Sequence, residues 1–194
     1  MSLILASTSP IRRQMLDAAG VVFEAIAPSL DEEPFKASNE RPEQLPLSLA
    51  EAKALKISDE RHTDWVIGSD SVVTVQGVGP CSKPRDRDHA AEQLRLFSDR
   101  RLKLISAAAL ACNGKIEWSH AAVTELKVRQ LSDEFIEDYL QAEWPEVAYT
   151  VGVFRMEGRG VQLFDWIDGD YFTILGMPLL PLLGALRERG LVPA

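Results

Sequence analysis

Two arginines stand side by side where a helix should begin. In "LILASTSPIRRQMLDAAG", Ser9 is a candidate N-cap and Pro10 suits the first helical position, so Arg12 and Arg13 fall in the first turn. That end of a helix already carries about half a unit of positive charge, and each cation there costs about 0.3–1 kcal/mol. An anion among the amides and guanidinium groups would remove the penalty. Two arginines, each able to hold phosphate oxygens bidentately, suit a polyphosphate. The alternative is a pair of solvated arginines on an exposed turn.

Asp70, in "VIGSDSVV", shares one strand face with Val66, Gly68 and Val72. A carboxylate in so apolar a strand needs a partner, because an unpaired buried charge is costly. A metal, a lysine or a loop amide would serve; otherwise Asp70 caps a turn at the strand end. Glu32, in "LDEEP", is of a type to join Asp70 around a metal ion. Paired carboxylates with open water positions suit Mg²⁺, whereas an acidic loop alone is simply solvated. Lys53, in "LAEAKAL", lies at the edge of the stripe formed by Leu47, Ala50, Ala54 and Ile57, where a lysine can also snorkel to solvent. Lys83, before Pro84, is either a functional charge or an ordinary loop residue.

Other chemistries find no support. "GVGP" lacks the Gly-Lys-Ser/Thr ending of a phosphate-binding Walker loop, and no Gly-x-Ser-x-Gly elbow is present. His62, His89 and His120 show no metal spacing. Cys81 and Cys112 read as reduced thiols of a cytosolic protein. The net charge of −8 over 194 residues argues against nucleic-acid binding, which needs a basic surface. With neither a signal-peptide pattern nor an apolar run of the ~18–20 residues a membrane helix needs, a cytoplasmic location and no membrane partner are expected.

The elements that must position these residues follow from patterning. "LILA" reads as a buried strand, followed by a helix running towards Gly20. "VVFEAIAP" reads as a strand, "SLDEEPFKASNERPEQ" as a loop and "LPLSLAEAKALKIS" as a helix. "DWVIGSDSVVTV" is a strand that ends in the turn "QGVG". "RDRDHAAEQLRLF" is helical, with Ala91, Leu94 and Phe97 on one stripe. Two strands meet at Asn113-Gly114, a hairpin signal. A helix starts on Ser132 and stacks Phe135, Ile136, Tyr139 and Leu140; the last helix carries Leu179, Leu182, Leu183 and Leu186. The alternation of strands and helices with an antiparallel hairpin predicts one α/β domain over residues 1–194, with a mixed sheet and flanking helices.

Taken in order, "LILASTSPIRRQML", "DEE", "LAEAKA", "VIGSDSVV", "SKPRD", "VGVFRMEGRG" and "GDYFTILGMPLLPLLGAL" resemble the Maf family of nucleoside triphosphate pyrophosphatases, also described as septum-formation inhibitors. The resemblance implies an α/β fold similar to that of inosine triphosphatases, two lobes around a cleft, and commonly a homodimer. It also implies cleavage of a nucleoside triphosphate between its α- and β-phosphates with a divalent metal, Mg²⁺ or Mn²⁺. On matching positions, Asp70 becomes the catalytic acid residue and, with Glu32, the metal-facing pair. Ser7, Arg12, Lys53 and Lys83 face the phosphates; Arg13 is the weaker of the two arginines, because its position is not always Arg in the family.

The family's specificity positions map to Ile11, Ser71 and Glu157. Members favouring dTTP and UTP resemble Arg, Thr and Gln there; the branch favouring 7-methyl-GTP has an aromatic residue, Gln and Glu. Glu157 and the non-basic Ile11 lean towards the second branch, although Ile11 offers no stacking face and Ser71 matches neither. The chain departs from the family pattern at Asp99, Leu102 and Ser106, and in the run Val151-Gly152-Val153-Phe154. Those departures leave room for a rival reading, a nucleotide-binding regulator of division with vestigial catalysis.

Overall fold

The computed structural model describes residues 1–37 and 41–193; Ser38, Asn39 and Glu40, part of the expected acidic loop, lie outside them. In chain order the elements are β1 (Leu3–Ala6), α1 (Pro10–Ala18), β2 (Glu24–Ile26), α2 (Glu33–Ala37), α3 (Leu45–Ser58), β3 (Trp65–Val75) and β4 (Gly79–Cys81). There follow α4 (Arg87–Phe97), β5 (Arg101–Cys112), β6 (Lys115–Val128), α5 (Asp133–Glu143), β7 (Phe164–Asp168), α6 (Tyr171–Leu175) and α7 (Leu179–Glu188). Strand β1 pairs in parallel with β2 and β3, whereas β3–β4 and β6–β7 are antiparallel, so the α/β class with a mixed sheet is the observed one. No helix among the described residues is long and apolar enough to cross a membrane. The chain divides into two compact units.

The first unit comprises Met1–Ser71, Ile105–Ala122 and Asp170–Ala194. Strand β1 is buried on both faces, as a parallel strand covered by helices must be. Leu3 and Leu5 pack with Met15 and Leu16 of α1 and Leu179, Leu182 and Leu186 of α7. Ile4 and Ala6 pack with Ala50, Ala54 and Ile57 of α3 and with Ala107, Ala109 and Ala111 of β5. Each large side chain so buried contributes about 1.5–3 kcal/mol. The Asn113-Gly114 turn has φ of 50° and 68°, both positive, as a two-residue hairpin with matching strand twist requires.

The second unit comprises Val72–Leu104 and Val123–Gly169. Its helices α4 and α5 start on side-chain caps: Asp86 accepts from the His89 N–H at 2.8 Å, and Ser132 from the Phe135 N–H at 3.1 Å. The stripe Ala91, Leu94 and Phe97 is buried, as are Ile136, Tyr139 and Leu140. Phe135 stacks on Tyr139 as expected, with ring centres 6.1 Å apart, and also lies under the Arg129 guanidinium, 4.0 Å from its ring centre.

Several expectations change. The acidic loop contains α2, whose start is held by Asp31 Oδ1 accepting from the Glu33 N–H at 3.1 Å. The strand read over residues 21–28 shortens to Glu24–Ile26, the part that pairs with β1. Ser9 makes no side-chain cap on α1; its N–H donates to Ser7 Oγ at 3.2 Å. Strands β4 and β7 and helix α6 were not anticipated.

Candidate active site

Gly68 sets how closely β3 and α3 approach. A Cβ there would stand 1.9 Å from the Ala50 carbonyl oxygen and 2.8 Å from the Ala54 nitrogen, so only glycine allows this helix backbone to lie against the strand. Asp70 follows two residues later on the same face of β3. Lys53 follows Ala50 by one turn of α3. The close approach therefore brings ammonium to carboxylate: Lys53 Nζ donates to Asp70 Oδ1 at 2.5 Å and lies 2.7 Å from Glu32 Oε1. Of the partners Asp70 called for, lysine is the one observed. Lys53 does not snorkel; its side chain is only 10% exposed, so its charge is committed to the two acids.

Glu32 reaches this point from the residue before α2, where its carbonyl accepts the N–H groups of Phe35 and Lys36, both at 3.1 Å. Lys36 turns back to Glu32 Oε2 at 3.5 Å. Burial works to raise the Glu32 pKa, but the bond to Lys53 and the charges of Lys53 and Lys36 outweigh it and hold the carboxyl below its ordinary value. Two carboxylates sharing one ammonium form a hard oxygen donor set of the kind Mg²⁺ takes beside water and phosphate, so the donor chemistry fits a divalent cation. No cluster of three or more His, Cys, Asp or Glu with metal-binding geometry occurs among the described residues.

Arg12 lies in the first turn of α1 with its side chain turned onto protein groups. Its guanidinium is taken up by protein acceptors: Nε donates to the Gly176 carbonyl, Nη1 to the Ser69 carbonyl and Nη2 to Ser71 Oγ, each at 2.9 Å. These two carbonyls place partial negative charge against the guanidinium at the helix end. Burial lowers the Arg12 pKa, while the negative charges of Asp70 and Glu32 pull it back up. Arg12 Nε and Ser69 Oγ donate to the Gly176 carbonyl at 2.9 Å and 3.2 Å and take up its two lone pairs. Ser106 Oγ donates to the Thr173 carbonyl at 2.7 Å, so the 2.9 Å bond between Ser71 and Ser106 uses the Ser71 proton. Gly176 adopts φ +107°, a conformation that L side chains rarely take, which aims its carbonyl at this network.

The structure thus brings together Asp70, Glu32, Lys53, Arg12 and Ser71 within the first unit. Ser7 is buried just before α1, and Arg13 is exposed with one contact to the Ser7 carbonyl at 3.4 Å. Ile11 is half-buried on α1. Lys83 and Glu157 belong to the second unit; Lys83 is exposed, and Glu157 accepts from Arg155 Nε at 3.4 Å. Sequence reading missed Gly68, whose place on the Asp70 face was a usable signal. It also missed Ser69, Thr173 and Gly176, which no local pattern ties to Arg12.

The family model "Maf-like protein" matches residues 2–189. The chain belongs to the Maf family. Among curated Maf relatives, the 7-methyl-GTP pyrophosphatase of Rhizobium meliloti is 45% identical over 99% of this chain and 98% of its own. The nucleoside triphosphate pyrophosphatase of Sphingopyxis alaskensis is 44% identical over all of both chains. Among solved structures, the Staphylococcus aureus Ham1 protein matches 98% of this chain and 100% of its own with a TM-score of 0.48 at 13% identity. The departures from the Maf pattern at Leu102 and Ser106 are both fully buried: Leu102 in the core of the second unit, Ser106 in the hydroxyl network of the first.

Proposed function

We propose that this Maf chain hydrolyses nucleoside triphosphates to the monophosphate and pyrophosphate, with 7-methyl-GTP as its preferred substrate. The observation that carries the reading is the Lys53 ammonium held between Glu32 and Asp70, close enough to Arg12 for both acids to act on its charge. Phosphoryl transfer depends on positioning and charge neutralisation, and this cluster offers both. Two full-length relatives named for such activities support it.

In this reading Asp70 accepts the proton of the water that attacks the α-phosphorus, and the α–β anhydride bond breaks with its electron pair leaving on pyrophosphate. A divalent cation held by Glu32 and Asp70, Mg²⁺ or Mn²⁺, would supply charge neutralisation and an acidified water. Lys53 spends two of its three N–H donors on the acids and keeps one for a phosphate oxygen. Arg12 likewise keeps two of its five donors. Ser7, Arg13 and Lys83 complete the phosphate contacts. Glu157 accepts from the N1–H and exocyclic amine of guanine and complements the positive methylated ring, and Ile11 of α1 is a second residue that bears on the choice of base. Ser71, already bonded to Arg12, tunes specificity through that arginine. The rival regulatory reading drew on Leu102 and Ser106, both of which are buried, with Ser106 bonded to Ser71.

The test is pyrophosphate release by purified protein with Mg²⁺ or Mn²⁺ across the common nucleoside triphosphates and 7-methyl-GTP. Preference for 7-methyl-GTP is expected. Preference for dTTP or UTP overturns the specificity, and binding without release returns the weight to the regulatory reading.

A further inference from the structure

Beyond the acids and cations assigned to hydrolysis, the C-terminal end of α5 carries a buried carboxylate with no role yet. Glu143 is 8% exposed and closes a helix whose end is already negative, the unfavourable place for an acid. The segment after it folds around its side chain. The Arg159 N–H donates to Oε1 at 2.9 Å, and Arg155 Nη1 lies 3.9 Å from Oε2. Gly158 lies so close that a Cβ there would stand 2.8 Å and 3.0 Å from the two carboxylate oxygens. Arg155 turns its Nε to Glu157 Oε1 at 3.4 Å. One guanidinium is therefore shared by two carboxylates, and the array Glu143–Arg155–Glu157 keeps a net negative charge.

We infer that Glu143 sets the base selectivity of this enzyme by holding part of the Arg155 charge away from Glu157. The inference rests on the proposed reading of Glu157 as the base-facing residue and names what tunes it. A carboxylate accepts hydrogen bonds from guanine and 7-methylguanine alike, so discrimination between them rests on the positive charge of the methylated ring. A net negative array favours that ring over its neutral parent. Neutralise Glu143 and the array is balanced, Arg155 answers Glu157 alone, and the advantage of the cationic base goes. Glu143 is thus a positioning residue that acts through Arg155.

Steady-state kinetics with GTP and 7-methyl-GTP test this on Glu143→Gln, Arg155→Met, the double variant and Glu157→Gln. Glu143→Gln should lower the ratio of kcat/KM for 7-methyl-GTP over GTP about five- to tenfold, through KM with kcat unchanged, as expected of one unit charge acting over several ångströms near a protein surface. The double variant restores the net charge and should restore the ratio. An equal loss on both substrates, or a double variant no better than Glu143→Gln, marks a merely structural carboxylate and overturns the inference. Should Glu143→Gln fail to fold, Arg155→Met carries the test, since that side chain is 30% exposed; its ratio should rise, and a fall or no change overturns the inference. A ratio moved by Glu157→Gln but not by Glu143→Gln sinks the inference alone, whereas a ratio untouched by Glu157→Gln sinks the reading of Glu157 itself.

Discussion

Lys53 Nζ donates to Asp70 Oδ1 across 2.5 Å, with the lysine side chain 10% and the aspartate 16% exposed. A pair this sheltered is attractive only if its remaining valences are met, and Glu32 meets one of them at 2.7 Å. The ammonium thus keeps two like charges together, at a point where their mutual repulsion would otherwise drive them apart. It also gives the acids a fixed placement before any phosphate arrives, which is the preorganisation that phosphoryl transfer needs.

Replacing Asp70 by Asn tests the chemistry separately from the fold. The amide oxygen still accepts from Lys53, and Glu32 still balances its charge, so stability should fall by only about 1–3 kcal/mol. Turnover should fall about 10²–10⁴-fold if the carboxylate takes the proton of water. Thermal unfolding and pyrophosphate release measured on the same preparation give both numbers. Near-normal turnover would remove Asp70 from the mechanism.

The Glu32 carboxyl supplies a pH prediction. Its pKa lies below the ordinary 4.5, because Lys53 and Lys36 together outweigh the opposing effect of burial. The stabilisation is fully present above the ordinary value and is lost as the pH falls through the lower, folded one. Carboxyl NMR titration should place the Glu32 midpoint below 4.5 in the native protein and move it upward in Lys53→Met, where burial is opposed by Lys36 alone. An unmoved midpoint in that variant would mean that Lys53 does not hold Glu32 in solution.

Much of the framework could be read from local pattern. Helix α3 runs over the residues read as helical, because its apolar stripe is long and its one proline, Pro46, falls in the first turn where proline is tolerated, and Asn113-Gly114 marks its own hairpin. Strand β7 escaped because "FDWID" is mostly exposed and has no buried face to leave a period in the sequence. At the site, the need of Asp70 for a partner was visible, but three partners remained possible. The choice of Lys53 depends on Gly68 admitting α3, a tertiary fact. The protein acceptors of Arg12 were hidden for a related reason: they lie on Ser69 and Gly176, and their carbonyls carry no sequence signal.

Tyr139 is buried, and its hydroxyl donates to the Val153 carbonyl at 3.0 Å. Val153 holds φ +58°, an outlying conformation for a β-branched residue and one that needs outside support. Burial and then the charge of Glu143 push the phenol pKa well above its usual value, so the hydroxyl stays a donor throughout the working pH range. Tyr139→Phe leaves the ring packed and removes only this bond. It should cost about 1–2 kcal/mol by urea unfolding. A change below a few tenths of a kcal/mol would show that packing alone holds Val153 in place.

Gly68→Ala is the most demanding test of how the site is built. The added methyl would meet backbone atoms of Ala50 and Ala54, at 1.9 Å and 2.8 Å, and neither can swing aside as a side chain end would. Helix α3 must therefore move away from β3 or the strand must bend. Overpacking of this kind costs about 1–3 kcal/mol and sometimes more, and the rigid contact puts Gly68→Ala at the upper end. The same displacement carries Lys53 away from Asp70 and Glu32. Turnover should thus fall in protein that is still folded, at a temperature well below its unfolding midpoint, and the Glu32 carboxyl should lose its depressed pKa. Were Gly68→Ala destabilised with turnover and the Glu32 titration both unchanged, α3 would not be what places Lys53.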